Sequence, residues 1–136
     1  MVGRCRLYAL GPLLSMVLIG CSTREPSPTP DLPPDYRFVL TSSCGERPAL
    51  GTFRVEVVAD AVTSAEPVDA GVPPPRHWGV PTLRELIAKV DEAERGAEVE
   101  LVTDADGIPV TVDIDQSEDV VDDEECYEVT DYAPSG

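Results

Sequence analysis

The sequence predicts an α+β fold: a small antiparallel sheet of five or six strands carrying one packed helix, in the order ββ(β)αβββ. Three observations lead there. Residues 36–41, 52–57 and 108–115 alternate apolar and polar side chains, the period of two that marks a strand with one buried face. Leu83, Leu86, Ile87 and Val90 instead recur at i, i+3, i+4 and i+7, the apolar stripe of a helix laid on a sheet. Turn-forming residues stand between these segments, at Gly45 to Gly51, at Asp60-Ala61 and at Asp104-Ala105-Asp106-Gly107.

Each element has its own justification. Tyr36, Phe38 and Leu40 alternate with Arg37, Val39 and Thr41 in the first strand, and Phe53, Val55 and Val57 alternate with Thr52, Arg54 and Glu56 in the second. A short third segment, Val62 to Val68, follows the turn. Residues 67–81 contain Pro67, Pro73-Pro74-Pro75 and Pro81 and cannot continue a sheet, so they form a long loop. Thr82 and Glu85 make a capping box that opens the helix; Glu85–Lys89 and Asp91–Arg95 are favourable i,i+4 pairs, and Gly96 is expected to end it. Val99 and Leu101 alternate with Glu98 and Glu100, the Asp104 to Gly107 turn follows, and Ile108, Val110, Val112 and Ile114 complete a hairpin. Pro109, which has no amide hydrogen to donate, belongs at a strand start or an edge. A last short strand is expected from Tyr127 to Tyr132.

Ahead of this domain lies a different kind of sequence. Arg4 and Arg6 precede an apolar run from Leu7 to Ile19, the layout of a signal peptide. The run is too short to cross a hydrocarbon core of ~30 Å, which needs ~20 helical residues. It closes on Leu18-Ile19-Gly20-Cys21, which resembles the bacterial lipobox. That resemblance implies diacylglycerol on the Cys21 thiol, cleavage before it, and a membrane partner reached through covalent lipid; more than one acyl chain makes such anchoring stable. An ordinary secretory signal with a chance cysteine is the competing reading. Ser22 stands where an aspartate would favour inner-membrane retention, which places the anchor in the outer membrane if the organism has one. Prolines at 26, 28, 30, 33 and 34 make residues 21–35 an extended tether with a reach of ~40 Å. The domain organisation is therefore 1–20 signal peptide, 21–35 lipidated cysteine and tether, and 36–133 exported domain.

Within that domain four motifs stand together: Tyr36-x-Phe38, Pro-Thr-Leu-x-Glu-Leu (81–86), Asp-Gly-Ile-Pro-Val-Thr-Val-Asp (106–113) and Asp-Glu-Glu-Cys-Tyr-Glu-Val (123–129). The combination resembles a family of small exported bacterial proteins known only as a domain of unknown function. The resemblance covers residues 36–133 and implies a fold and an exported location, but no activity.

Charge excludes some functions. The net charge is −16, and removal of Arg4 and Arg6 with the signal makes it two charges more negative, which argues against nucleic acid as a partner. Of four cysteines, Cys5 leaves with the signal and Cys21 takes the lipid. Cys44 and Cys126 are left, and an oxidising compartment favours a disulfide between them. A redox or zinc pair is the rival, without Cys-x-x-Cys spacing to support it.

The acidic run offers a second candidate. Asp113, Asp115, Ser117, Asp119 and Glu124 fall at positions 1, 3, 5, 7 and 12 of a calcium loop of the EF-hand kind, with Val120 at position 8. Glu118, however, occupies position 6, where the turn requires glycine, and the preceding segment is strand-like. A solvated acidic loop and a docking surface for a basic partner are the alternatives. For catalysis there is little: the single histidine, His77, sits beside Trp78 in the proline-rich loop, and hydrolase, phosphate-loop and zinc-protease motifs are absent. The expectation is therefore a lipid-anchored envelope protein, not an enzyme, with no catalytic, cofactor-binding or metal site assigned. Its acidic domain is expected to bind another protein, such as an envelope protein, or another envelope component through a sheet face or the Arg76-His77-Trp78 loop; a calcium-responsive surface domain is the alternative.

Overall fold

The computed structural model describes residues 29–136 apart from Pro48, His77, Trp78, Glu94 and Glu118. Six strands and one helix follow in the expected order: β1 (Tyr36–Ser42), β2 (Gly51–Val58), β3 (Ala61–Pro67), α1 (Leu83–Glu92), β4 (Glu98–Thr103), β5 (Pro109–Asp115) and β6 (Glu125–Pro134). They form one antiparallel sheet in the order β3-β2-β1-β6-β5-β4. The fold class read from the sequence is thus the one observed, and it consists of two three-stranded meanders joined where β1 runs along β6. The chain passes from one meander to the other through α1, from the β3 edge of the sheet to the β4 edge.

One face of the sheet is covered and the other is open. Tyr36, Phe38, Leu40, Phe53, Val55, Val57, Val112, Ile114, Tyr127 and Val129 point to the covered side and are at most 5% exposed. The α1 stripe of Leu83, Leu86, Ile87 and Val90 closes over them. The helix begins as expected: Thr82 Oγ1 accepts from the Glu85 amide at 3.2 Å and Glu85 Oε2 accepts from the Thr82 amide at 2.7 Å. The buried Tyr36 hydroxyl accepts from the Leu83 amide at 3.1 Å, tying the first turn of the helix to the first strand. Burial is the main reason this phenol is pushed up from its ordinary value.

Three sequence-based expectations are corrected. The helix ends at Glu92 with Ala93 as its cap, one turn before Gly96. Asp91 and Glu92 put negative charge at the end of the helix dipole that disfavours it, so the Asp91–Arg95 pair is not built on the helix. Glu85 is committed to the capping box and Lys89 to Glu125, so the expected Glu85–Lys89 pair is replaced. The third correction concerns the tether, whose last residues belong to the domain. Leu32 is 3% exposed in the core, and Arg84 donates to its carbonyl. Pro30 is buried against Gly107, the Asp60 amide donates to the Pro34 carbonyl at 2.9 Å, and Asp35 Oδ1 accepts from the Ala59 amide at 2.7 Å. Prolines hold this segment extended, and extension lets it lie across both hairpin turns.

These contacts give the domain two poles. The N-terminal segment arrives at the pole that carries the Ala59-Asp60 turn, the Asp104–Gly107 turn and the start of α1. The opposite pole carries the β1–β2 loop, the segment between β5 and β6, and the end of α1.

Candidate interaction surface and its surroundings

The far pole is closed by a disulfide. Cys44 and Cys126 are bridged with their Cα atoms 5.3 Å apart, joining the residues just beyond the β1–β6 pairing of Ser42 with Tyr127. Gly45, at φ 75°, follows the bridge; a Cβ there would collide with the Glu124 carbonyl oxygen, so this approach requires glycine.

Bridging these cysteines brings their neighbours together. Arg47, from the β1–β2 loop, meets Glu125 at the start of β6, Nη2 to Oε1 at 2.8 Å. Lys89, in the last turn of α1, reaches Glu125 Oε2 at 3.1 Å. The Tyr127 hydroxyl donates to Glu125 Oε2 at 3.0 Å and accepts from Arg47 Nη1 at 3.2 Å, while the guanidinium lies 5.8 Å from the centre of the Tyr127 ring. Burial by itself would raise the Glu125 carboxyl. The hydrogen bond and charge of Lys89, the charge of Arg47 and the Tyr127 hydroxyl outweigh it and hold Glu125 below its ordinary value. Burial first, and then the charge of Glu125, push the Tyr127 phenol far up, so it stays protonated and keeps its donor role. The cluster joins a loop, a strand and the helix through one carboxylate. A groove of about 680 Å³ runs beside it, between the α1 face of Glu85, Ala88, Lys89 and Glu92, residues 79–82 and the start of β3.

The open face of the sheet is different in its two halves. On the β1–β2–β3 meander, charged side chains stand opposite charges of the other sign: Arg37 faces Glu56, and Arg54 faces Glu66. On the β4–β5 hairpin they stand opposite charges of the same sign: Glu98 faces Asp115, and Glu100 faces Asp113. Direct cross-strand neighbours of like charge are destabilising. Asp113 in turn stands beside Cys126, and Glu128 faces both Thr111 and Thr41. A shallow depression of about 530 Å³ is lined here by Glu98, Glu100, Asp113, Asp115 and Glu124, with no basic side chain among the described residues of its walls. The ion pairs of Arg47, Lys89 and Arg84 lie elsewhere, with Glu125 and Asp60.

The residues singled out as a calcium loop are not wrapped into one. Asp113 and Asp115 belong to β5 and present their carboxylates along a pleated strand. Asp115 Oδ1 accepts from the Ser117 amide at 3.1 Å and Ser117 Oγ from the Asp119 amide at 3.3 Å, two local turns that lead the chain away from the strand. Among the described residues, no group of three or more His, Cys, Asp or Glu side chains gathers closely enough to hold a metal ion. Cys21, Glu118, His77 and Trp78 lie outside the described residues. Arg76 is exposed, and its carbonyl accepts from the Gly79 amide at 2.8 Å. No helix among the described residues is long and apolar enough to cross a membrane.

No curated protein and no solved structure matches the chain. A family model does match, over residues 31–134, and its first residue lies beside the buried Leu32 where the packed domain begins. The chain belongs to this family, described as a family of unknown function (DUF6174).

Proposed function

We propose that this chain is a lipoprotein of the bacterial cell envelope, anchored through Cys21, whose acidic domain is an interaction module that binds an envelope protein through the open face of the β4–β5–β6 meander. The observation that carries the interaction is the charge arrangement of that face. Carboxylates stand opposite carboxylates on β4 and β5, while β1, β2 and β3 of the same sheet place arginine opposite glutamate. An arrangement unfavourable to folding and confined to one exposed region is characteristic of a surface kept for binding. The two poles support the anchored reading. The N-terminal segment reaches the domain at the pole opposite Glu98, Asp115 and Glu124, so these acidic residues stand at the end of the domain away from the incoming segment.

Two measurements test this reading. The intact mass of the membrane-extracted chain is expected to show an acylated polypeptide beginning at Cys21; an unmodified chain beginning elsewhere overturns the anchor. A photoreactive residue at position 100 or 113 is expected to yield an adduct with an envelope protein in native membranes, whereas one at position 88, on the helix side, yields none. Adducts from position 88 alone, or from none of the three, overturn the assignment of the face.

A further inference from the structure

Among the described residues β4 has a neighbouring strand on one side only, which leaves the backbone groups along its other edge to a further strand. Its side chains describe what that strand must carry. Glu98, Glu100 and Val102 point to the open face, with Val102 44% exposed, while Val99 and Leu101 are half-buried against the core. A strand laid beside β4 therefore needs cationic side chains opposite the two glutamates, an apolar one opposite Val102, and apolar side chains on the other face to extend the contact of Val99 and Leu101.

A second copy of this chain does not meet that requirement. Neither edge strand of a second copy carries a cation: β4 would bring Glu98 and Glu100, and β3 brings Glu66 as its only charge. Edge charges alone are a common way to prevent such self-pairing. That role does not account for Asp113 and Asp115, which stand on β5, one strand in from the edge, and lie next to the β4 glutamates on the same face.

We propose that the partner binds as a seventh strand, an extended basic segment of another protein that alternates Lys or Arg with apolar residues and pairs with the free edge of β4. The inference rests on the interaction-module reading and specifies its partner. Main-chain hydrogen bonds to β4 supply the register, and the row of Glu98, Glu100, Asp113 and Asp115 selects the charge.

The test uses the chain from residue 21 onward with Cys21→Ser, whose described core lies wholly between Leu32 and Tyr132. Four short synthetic peptides are the probes: Lys alternating with Val, Glu alternating with Val, Lys alternating with Gly, and the Lys–Val peptide N-methylated on alternate residues. Amide hydrogen exchange along β4 is the readout. The Lys–Val peptide is expected to slow alternate β4 amides at least about tenfold, and the other three to leave them unchanged. A Glu98→Lys, Glu100→Lys variant is expected to lose the response to Lys–Val and gain one to Glu–Val. Equal protection by Lys–Gly, or by the N-methylated peptide, would show diffuse charge attraction and overturn strand pairing. No protection by any peptide also overturns it, while adducts from positions 100 and 113 would still uphold the broader reading.

Discussion

At the scale of single residues, the β2–β3 turn is built on two left-handed residues, Ala59 at φ 51° and Asp60 at φ 61°. Two-residue hairpin turns of this shape match strand twist and favour Asn-Gly or Asp-Gly. Asp60 is suited to the conformation and is held by Arg84 at 2.9 Å, but alanine in it carries a penalty of about 1 kcal/mol. Ala59→Gly is therefore expected to raise the unfolding free energy by about 0.5 to 1 kcal/mol, read from the denaturant midpoint at constant slope. Glu125 gives the opposite case. Removing its charge with Glu125→Gln leaves Arg47 and Lys89 facing a neutral group, and a loss of about 1 to 3 kcal/mol at neutral pH is expected. Because the folded carboxyl titrates below its ordinary value of 4.5, its contribution is fully present above that pH and disappears as pH falls through the folded value. The stability difference between wild type and Glu125→Gln should accordingly shrink on acidification below pH 4.5; a gap that widens there would contradict the ion-cluster account.

At the scale of elements, how much could be read in advance depended on whether the determinants were local. The strands and the start of α1 were legible because alternation, the 3.6-residue stripe and the capping box each lie within a few positions. The end of α1 was not, because Gly96 is a strong stop signal but the acidic Asp91 and Glu92 had already made the last turn unfavourable. The Cys44–Cys126 bridge was legible by elimination. The cluster around Glu125 was not, since Arg47 and Tyr127 are 80 positions apart, yet a signal for it existed: Arg47 follows Cys44 closely and Glu125 adjoins Cys126, so pairing the cysteines places their neighbours together. The charge pattern of the open face was only half legible. Alternation indicates which side chains face outward, but which charge stands opposite which depends on strand register. The bridge closes a loop with a sequence separation of 82, worth about 4 to 5 kcal/mol by chain entropy, and it also holds the Arg47 loop against β6. The Cys44→Ser, Cys126→Ser variant should lose about that much in denaturant unfolding. A variant as stable as the wild type would show that β1–β6 pairing secures this pole without the bridge.

At the scale of the whole molecule, negative charge is large but unevenly placed. Salt screens exposed pairs, so adding it should stabilise the domain where like charges are opposed on β4–β5 and weaken it where unlike charges are opposed on β1–β3. Calcium should act in the same diffuse way, because the carboxylates lie along a pleat without converging; at physiological ionic strength, titration to millimolar levels is expected to move the melting temperature little. A saturable shift abolished by Asp113→Asn would require a bound ion instead. The central claim is that the acidic half of the open face is held against the interest of folding, and comparing charge reversal on the two halves addresses it most directly. Each variant exchanges two glutamates for lysines, so the change in net charge is the same. In low-salt denaturant unfolding, Glu98→Lys with Glu100→Lys, which turns two like-charged pairs into unlike ones, is expected to stabilise the domain by about 0.4 to 2 kcal/mol. Glu56→Lys with Glu66→Lys, which sets lysines opposite Arg37 and Arg54, is expected to destabilise it. Equal shifts for the two variants, or a loss of stability from the β4 reversal, would contradict the account.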